Sequence, residues 1–261
     1  MTPETHARLG DALFEAMRTR TTLEPLTQTE PGLTIDDAYR IARRMIDRRL
    51  ALGERIVGKK IGVTSEPVQK MLGVFEPDFG WLTSDMVYGP GQAMPIGRLL
   101  IQPRAEAEIA FFLGHTLRGP GVTEADVLAA TAFVAPCFEV VDSRIRDWKI
   151  RIQDTVADNA SCGLLMVGAA RVDPRTVNLE TCEVVVHKNG APLSRGFGAA
   201  ALGSPLRAVA WLANTLSRFD VALEAGELVL SGSLVPLEPV VPGDRMTMNL
   251  TGIGDAELVF E

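Results

Sequence analysis

Gln102-Pro-Arg-Ala-Glu106-Ala-Glu108-Ile-Ala-Phe-Phe-Leu113 is a run of apolar and β-forming residues that carries two glutamates. It reads as a strand. Side chains two apart on a strand share a face, so Glu106 and Glu108 lie side by side, roughly 6.6 Å apart along the backbone. Two carboxylates leaning together at about 4 Å repel by about 4 kcal/mol at an effective dielectric near 20. A proton, an Arg or Lys, open water or a metal ion must offset that repulsion. Pro136-Cys-Phe-Glu139-Val-Val-Asp142 is a second apolar run with a glutamate embedded in it. Oxygen-only ligands in a site of this charge suit Mg²⁺ or Mn²⁺. For a Glu-x-Glu pair taken alone, the competing reading is a solvated strand face.

Outward from these runs, the texture divides the chain. Before residue 54 it is helical: Leu9, Leu13, Ala16 and Met17 recur at helix spacing, and Thr34-Ile-Asp-Asp37 is a capping box that opens a second helix. That helix has an apolar stripe of Ala38, Ile41, Ala42, Met45 and Ile46, a run of arginines read as a solvated outer face, and Gly53 at its end. From Ile56 onward, short apolar runs are broken by Gly, Pro, Asp and Asn. Strands are expected near 56–62, 99–113, 133–142, 163–168, 182–188, 227–231, 245–250 and 256–260, with a hairpin turn at Asn189-Gly190. Short helices are expected at 65–72 and 123–131, and a longer one at 204–218, capped by Ser204 with Pro205 in its first turn. Strands this numerous, without regular alternation with helices, disfavour a doubly wound parallel sheet. The expectation is an α+β chain: a helical segment over 1–54 and a β-rich domain over 55–261.

Composition removes several classes of function. A net charge of -7 leaves no basic face for nucleic acid. No apolar run approaches the roughly 20 residues that span a bilayer, and the first residues lack the apolar core of a signal peptide. Cys137, Cys162 and Cys182 are odd in number, far apart and without a Cys-x-x-Cys pair, as expected of buried thiols in a reducing cytoplasm. His6, His115 and His187, placed in an N-terminal tail, a turn and a hairpin arm, have no metal-ligand spacing. No nucleotide-binding glycine loop and no Gly-x-Ser-x-Gly elbow occur.

Other residues compete for a chemical role. In the strand at 56–62, Gly58 and Gly62 flank Lys60 on its face, and glycine there lets a ligand or backbone approach closely. Lys59 faces the other way, and alternation does not choose between the two lysines. Asp78, between Glu76-Pro77 and Phe79-Gly80, reads as a turn residue. Asn159 and Ser161 read as turn formers at the head of a strand. Arg104 is either a counter-charge for the glutamates or a surface residue.

Four stretches, in order, carry a resemblance: Val57-Gly-Lys-Lys60-Ile-Gly-Val-Thr-Ser65, Leu72-Gly-Val-Phe-Glu-Pro-Asp78-Phe-Gly80, Gln102-Pro-Arg-Ala-Glu-Ala-Glu108 and Asp154-Thr-Val-Ala-Asp-Asn159-Ala-Ser161. From about residue 34 to the C-terminus the chain resembles the 2-keto-4-pentenoate hydratases, in the hydratase/decarboxylase branch of the fumarylacetoacetate hydrolase superfamily. The resemblance implies that superfamily's β-rich roll or barrel and a divalent cation, Mg²⁺ or Mn²⁺, on Glu106, Glu108 and Glu139. It selects Lys60 over Lys59, places Asp78 near the reacting carbons, and puts Asn159 and Ser161 along the substrate cleft. The implied reaction is addition of water to a 2-hydroxy-2,4-dienoate, giving a 4-hydroxy-2-oxoacid in meta-cleavage degradation of aromatic rings or steroids. A cytoplasmic homo-oligomer of five or ten copies is implied, with association with a pathway decarboxylase or aldolase. Leu72, Val74 and Phe75 are candidates either for the wall that meets the substrate tail or for the core.

The nearest alternative in that branch is 4-oxalocrotonate decarboxylase, whose members tend to read His-Pro-Arg where this chain has Gln102-Pro-Arg. Ser231-Gly-Ser-Leu also looks more hydratase-like. An acylpyruvate hydrolase would carry a His-x-x-Glu pair before the metal motif, and no histidine lies between His6 and His115. A non-catalytic partner subunit is the remaining alternative, disfavoured by the intact Lys60, Glu106, Glu108 and Glu139.

Overall fold

The computed structural model describes residues 1–65, 69–70 and 73–261. Helix α1 (Pro3–Thr19) starts at Thr2, whose hydroxyl accepts the Thr5 N–H, and α2 (Ile35–Ala51) starts at Thr34, in the capping box with Asp37 expected from sequence. The predicted stripe of α2 is buried and packs against Leu9, Leu13 and Phe14 of α1. Two expectations for this segment change. His6 lies inside α1, buried, with Nε2 at 2.7 Å from Asp37 Oδ1. The arginine run is only partly a solvated face. Arg44 and Arg48 both donate to Asp11 of α1, and Arg49 is buried beside Glu54 and Thr83. Two adjacent amphipathic helices leave acidic and basic flanks facing each other, a relation that a one-helix reading does not contain.

Strands β1 (Ile56–Gly62), β2 (Asp78–Thr83), β3 (Val87–Tyr88) and β4 (Arg104–Leu113) follow, then helix α3 (Glu124–Ala130), β5 (Thr131–Val141), helix α4 (Ile152–Ala157) and β6 (Cys162–Val167). Strands β7 (Glu183–Lys188) and β8 (Ala191–Phe197), helix α5 (Pro205–Leu216), and β9 (Leu228–Leu230), β10 (Glu238–Pro239), β11 (Arg245–Leu250) and β12 (Gly254–Val259) complete the chain. One mixed sheet runs β2-β1-β9-β4-β5-β6-β3, with β10 on β4, and a second runs β12-β11-β7-β8. The α+β, β-rich class is as expected. Asn189 and Gly190 take φ of 53° and 80° and join β7 to β8, as a type I′ turn requires.

The differences from sequence have local causes. The strand expected from 99 begins only at Arg104; Ile96–Leu99 is a helical turn, and the Ile101 and Gln102 N–H groups donate to the Asp142 carboxylate instead of to a ladder. Asp78 is not a turn residue: it opens β2, in register with Gly62 of β1. Ser204 makes no side-chain cap on α5, and its hydroxyl meets Glu124 instead. The helix expected over 65–72 falls mostly on residues 66–68, 71 and 72, outside the described residues. One face of the large sheet packs on the helices. The other encloses a smaller apolar cluster around Ala110, Cys137, Leu165 and Leu230, and all three cysteines are buried and free.

Candidate metal centre and active site

In the β4–β5 ladder Glu106 stands directly opposite Glu139, and Glu108 opposite Cys137. Like charges at directly paired positions destabilise a sheet, yet here they come with a third carboxylate on the same face. All three glutamates are buried, and one carboxylate oxygen from each lies within 4.8 Å of the other two. Glu108 Oε2 accepts the Gly232 N–H at 2.8 Å, while Glu108 Oε1 and both oxygens of Glu139 have no hydrogen-bond partner. Burial pushes Glu108 well above the ordinary carboxylate range, reinforced by Glu139 and Glu106. Glu106 is pushed up to about 8, by burial first and then by Glu139, against the pull of Lys60 and the Ser233 hydroxyl.

Lys60 reaches this cluster from β1. Its Nζ lies 3.2 Å from Glu139 Oε1, an ion pair without hydrogen-bond geometry, and donates to Ala160 O at 3.2 Å. Burial works against the ammonium, but Glu139, Glu106 and Asp78 outweigh it and raise the lysine's pKa, so Lys60 stays charged. The flanking glycines work differently on the two sides. A Cβ on Gly58 would come within 1.9 Å of Leu228 O, and one on Gly62 within 2.2 Å of Asp78 Oδ1 and 3.3 Å of Lys60 Nζ. Gly58 therefore admits the β9 backbone, and a side chain at Gly62 would fill the space that the Asp78 carboxylate and the Lys60 ammonium face.

Asp78 is 2% exposed, and neither of its oxygens has a hydrogen-bond partner; the Asp78 and Gly62 N–H groups point near the carboxylate without closing a bond. Burial pushes it up to about 6, with Lys60 pulling down and Glu139 pushing up. Among the described residues, five of the six buried side-chain polar atoms without a partner belong to Asp78, Glu108 and Glu139. Buried polar atoms are nearly always satisfied, so this concentration marks a site built to receive something. A hard divalent cation fits the donor set: several carboxylate oxygens, unpaired and converging.

The sequence motif at 154–161 ties this centre to the rest of the fold. Asp154 accepts the Thr27 N–H and hydroxyl, and Asp158 accepts the Arg144 N–H at 2.9 Å and its Nε. Asn159 Oδ1 accepts the Trp81 N–H at 2.8 Å, and its Nδ2 donates to Trp81 O at 2.9 Å. The side-chain amide of Asn159 thus pairs with β2 as a strand residue would. Ser161 Oγ lies 3.1 Å from Thr155 Oγ1. Asn159, Ala160 and Ser161 all have φ near 50–55°, a left-handed turn that aims Ala160 O at Lys60.

Other readings resolve as follows. Lys59 is also buried, on the opposite face, with Nζ at 2.5 and 2.6 Å from the Glu227 oxygens, so the surface reading fails for both lysines. Arg104 does not serve the glutamates: its guanidinium stacks 4.7 Å from the Trp148 ring. Gln102 donates to Ser143 O and Ile145 O. Val74 and Phe75 line a cavity that reaches Asp78, while Leu72 lies outside the described residues. Sequence reasoning missed the Gly232 N–H and Tyr39, whose ring stacks on Phe79 beside Asp78 with centroids 4.2 Å apart. A glycine amide has no side-chain signature, and Tyr39 falls outside the apolar stripe read for α2.

The fumarylacetoacetate (FAA) hydrolase C-terminal family model matches residues 51–260. A 2-hydroxypent-2,4-dienoate hydratase of Pseudomonas putida is 64% identical over 214 residues, 82% of this chain and 96% of that protein. A 2-hydroxyhexa-2,4-dienoate hydratase of Comamonas testosteroni is 55% identical over 252 residues, 96% of each chain. Among solved structures, the 4-oxalocrotonate decarboxylase of Pseudomonas putida G7, complexed with magnesium and adipate, superposes with a TM-score of 0.97 at 34% identity, over 100% of this chain and 99% of that one.

Proposed function

This chain belongs to the fumarylacetoacetate hydrolase family, and we propose that it is a metal-dependent hydro-lyase that adds water to a 2-hydroxy-2,4-dienoate to give a 4-hydroxy-2-oxoacid. The observation that carries the reading is the buried meeting of Glu106, Glu108 and Glu139 with Lys60 and Asp78, most of whose oxygens lack partners. The names of relatives at 55% and 64% identity support the reaction and its place in aromatic meta-cleavage catabolism. Residues 55–261 form the catalytic domain in this proposal, and residues 1–54 add the helices that wall it.

Glu106, Glu108 and Glu139 would hold Mg²⁺ or Mn²⁺; the magnesium of the decarboxylase relative supports the first. When bound, the ion supplies Lewis acidity, drawing electron density toward the carboxylate and 2-oxygen of the substrate. Lys60, kept cationic by its carboxylate neighbours, adds a fixed positive charge at the same end. Asp78 then moves protons. A 2-hydroxydienoate becomes a conjugated 2-oxo-3-enoate when C5 gains a proton and the 2-hydroxyl loses one. Water then adds when a base takes its proton, its oxygen bonds to C4 and C3 gains a proton. A carboxyl pushed up to about 6 can hold or accept a proton near neutral pH. Asn159, committed to Trp81, contributes by fixing β2 and so Asp78. Ser161, which shares a hydrogen bond with Thr155, is the polar side chain of that loop able to turn toward the substrate.

The test is incubation with 2-hydroxypenta-2,4-dienoate, with and without chelator. Loss of dienol absorbance with appearance of 4-hydroxy-2-oxopentanoate, abolished by chelator, is the expected result. Release of carbon dioxide from 4-oxalocrotonate, with no hydration, would replace the reading by the decarboxylase.

A further inference from the structure

Asn159, Ala160 and Ser161 stand in the left-handed region one after another, at φ of 55°, 52° and 50°. None is glycine, and each such residue carries a strain that the surrounding structure must hold in place. Arg144 holds this turn. Its guanidinium, 1% exposed, donates from Nη2 to Asp158 O at 2.6 Å and from Nη1 to Cys162 O at 2.9 Å, the carbonyls on either side of the turn. Its Nε donates to Asp158 Oδ1 at 2.5 Å, and its backbone N–H to Asp158 Oδ2 at 2.9 Å. Gln102 in turn donates to Ser143 O and Ile145 O, the neighbours of Arg144 in the chain. The far side of the turn seats on β2, where a Cβ on Gly80, the ladder partner of Lys60, would lie 2.5 Å from Asn159 O. The turn presents Ala160 O to Lys60 Nζ, which donates to it at 3.2 Å.

We propose that Arg144 is a positioning residue for the hydration: clamping both ends of the 159–161 turn, it fixes Ala160 O and, through that carbonyl, the Lys60 ammonium. The proposal rests on the hydratase reading and deepens it with a residue that acts through the turn and not on the substrate. A lysine ammonium sits on a flexible four-carbon stem, and the 3.2 Å ion pair with Glu139 has no hydrogen-bond geometry to orient it. Ala160 O supplies that direction. A fixed charge assists a reaction where it need not reorganise as charge develops. Bridging two carbonyls and a carboxylate at once takes the planar fork of a guanidinium, which a lysine does not provide. Stability alone does not call for this arrangement, since apolar side chains of similar volume often replace a buried ion pair without loss.

The experiment is a double-mutant cycle between Arg144 and Lys60, read with 2-hydroxypenta-2,4-dienoate and Mg²⁺. Arg144→Lys keeps the charge and loses the bridge. Arg144→Met with Asp158→Asn removes both buried charges together, so it folds where a lone buried carboxylate prevents folding. In each, kcat and kcat/KM should fall together by about ten-fold or more, as small misplacements near the chemistry do, with Mg²⁺ affinity kept. In a Lys60→Met background the same changes should cost no further activity, because the group they position is gone. An equal fall in both backgrounds, or no fall in either, overturns the proposal. If the wild-type protein hydrates no dienoate, the activity reading fails, and the placement of Lys60 is read directly by NMR. The chain has five lysines, and in ¹³Cε-lysine protein the Lys60 signal is the one that Lys60→Met removes. Its shift in the Arg144 variants, with the Lys149 and Lys188 signals unmoved, sustains the clamp. An unmoved Lys60 signal in a folded variant refutes it.

Discussion

Lys59 and Lys60 are neighbours in sequence and both buried, yet they face opposite sides of β1, Lys59 closing on Glu227 and Lys60 on Glu139. They should therefore fail differently. Lys60→Met is expected to lower kcat by about a hundred-fold or more, as loss of a preorganised charge does, with the fold retained. Lys59→Met leaves Glu227 without its cation and should cost about 3 kcal/mol of stability, with kcat near wild type at temperatures where the protein is folded. Thermal melts and steady-state kinetics on both variants check this. Equal kcat losses would mean that the strand face does not separate the roles.

Glu106→Gln, Glu108→Gln and Glu139→Gln should each remove most Mg²⁺ affinity. In the metal-free protein the same changes should leave stability level or raise it, because each removes a buried carboxylate facing two others. Calorimetric titration and EDTA-treated melts give both readouts. A variant that binds Mg²⁺ as wild type does drops its residue from the ligand set.

Metal-free protein should lose stability as pH rises. Burial, helped by Glu139, holds Glu106 at about 8 against an ordinary 4.5, and burial holds Asp78 at about 6 against 3.8. Both folded-state values are raised, so the unfolded chain releases these protons first, and stability present below about pH 4 is progressively lost toward about pH 8. Saturating Mg²⁺ should flatten the decline, since the ion binds the deprotonated carboxylates. Urea unfolding in EDTA and in Mg²⁺ across this window measures it. A slope in EDTA that is zero or upward would contradict the electrostatics described here.

Asp78→Asn keeps the size of the side chain but cannot accept a proton at neutral pH. Hydration should slow while Mg²⁺ affinity is kept, and a conjugated 2-oxo-3-enoate should accumulate, or deuterium should enter C5 without net hydration. NMR in deuterium oxide distinguishes the steps. If exchange and hydration fall by one common factor, Asp78 serves the first proton shift instead of the water addition.

Asn159→Ala removes two hydrogen bonds to the Trp81 backbone and should cost about 1–3 kcal/mol. Because β2 then moves with Asp78, kcat should fall along with the melting temperature. A raised KM with unchanged melting temperature would instead make Asn159 a direct substrate contact.

What the sequence by itself determined is what short-range rules control. Strand periodicity put Glu106 and Glu108 on one face. The capping pair Thr34 and Asp37 marked the start of α2, and Asn189-Gly190 marked a hairpin. The resemblance motifs pointed to the family, which the match over 51–260 bears out. Tertiary structure decided the rest. Asp78 reads locally as a turn after proline, and only pairing with Gly62 on β1 makes it the first residue of a strand. His6 and Arg49 carry polar side chains that local patterning assigns to solvent, and packing of α1 on α2 and β2 buries them with partners. Lys60 on β1 meets Glu139 on β5 across β9 and β4, in a sheet that brings together segments far apart in the chain. Sequence patterns report interactions within a few residues, while the adjacency of strands and the partners of buried charges depend on which distant surfaces exclude water together.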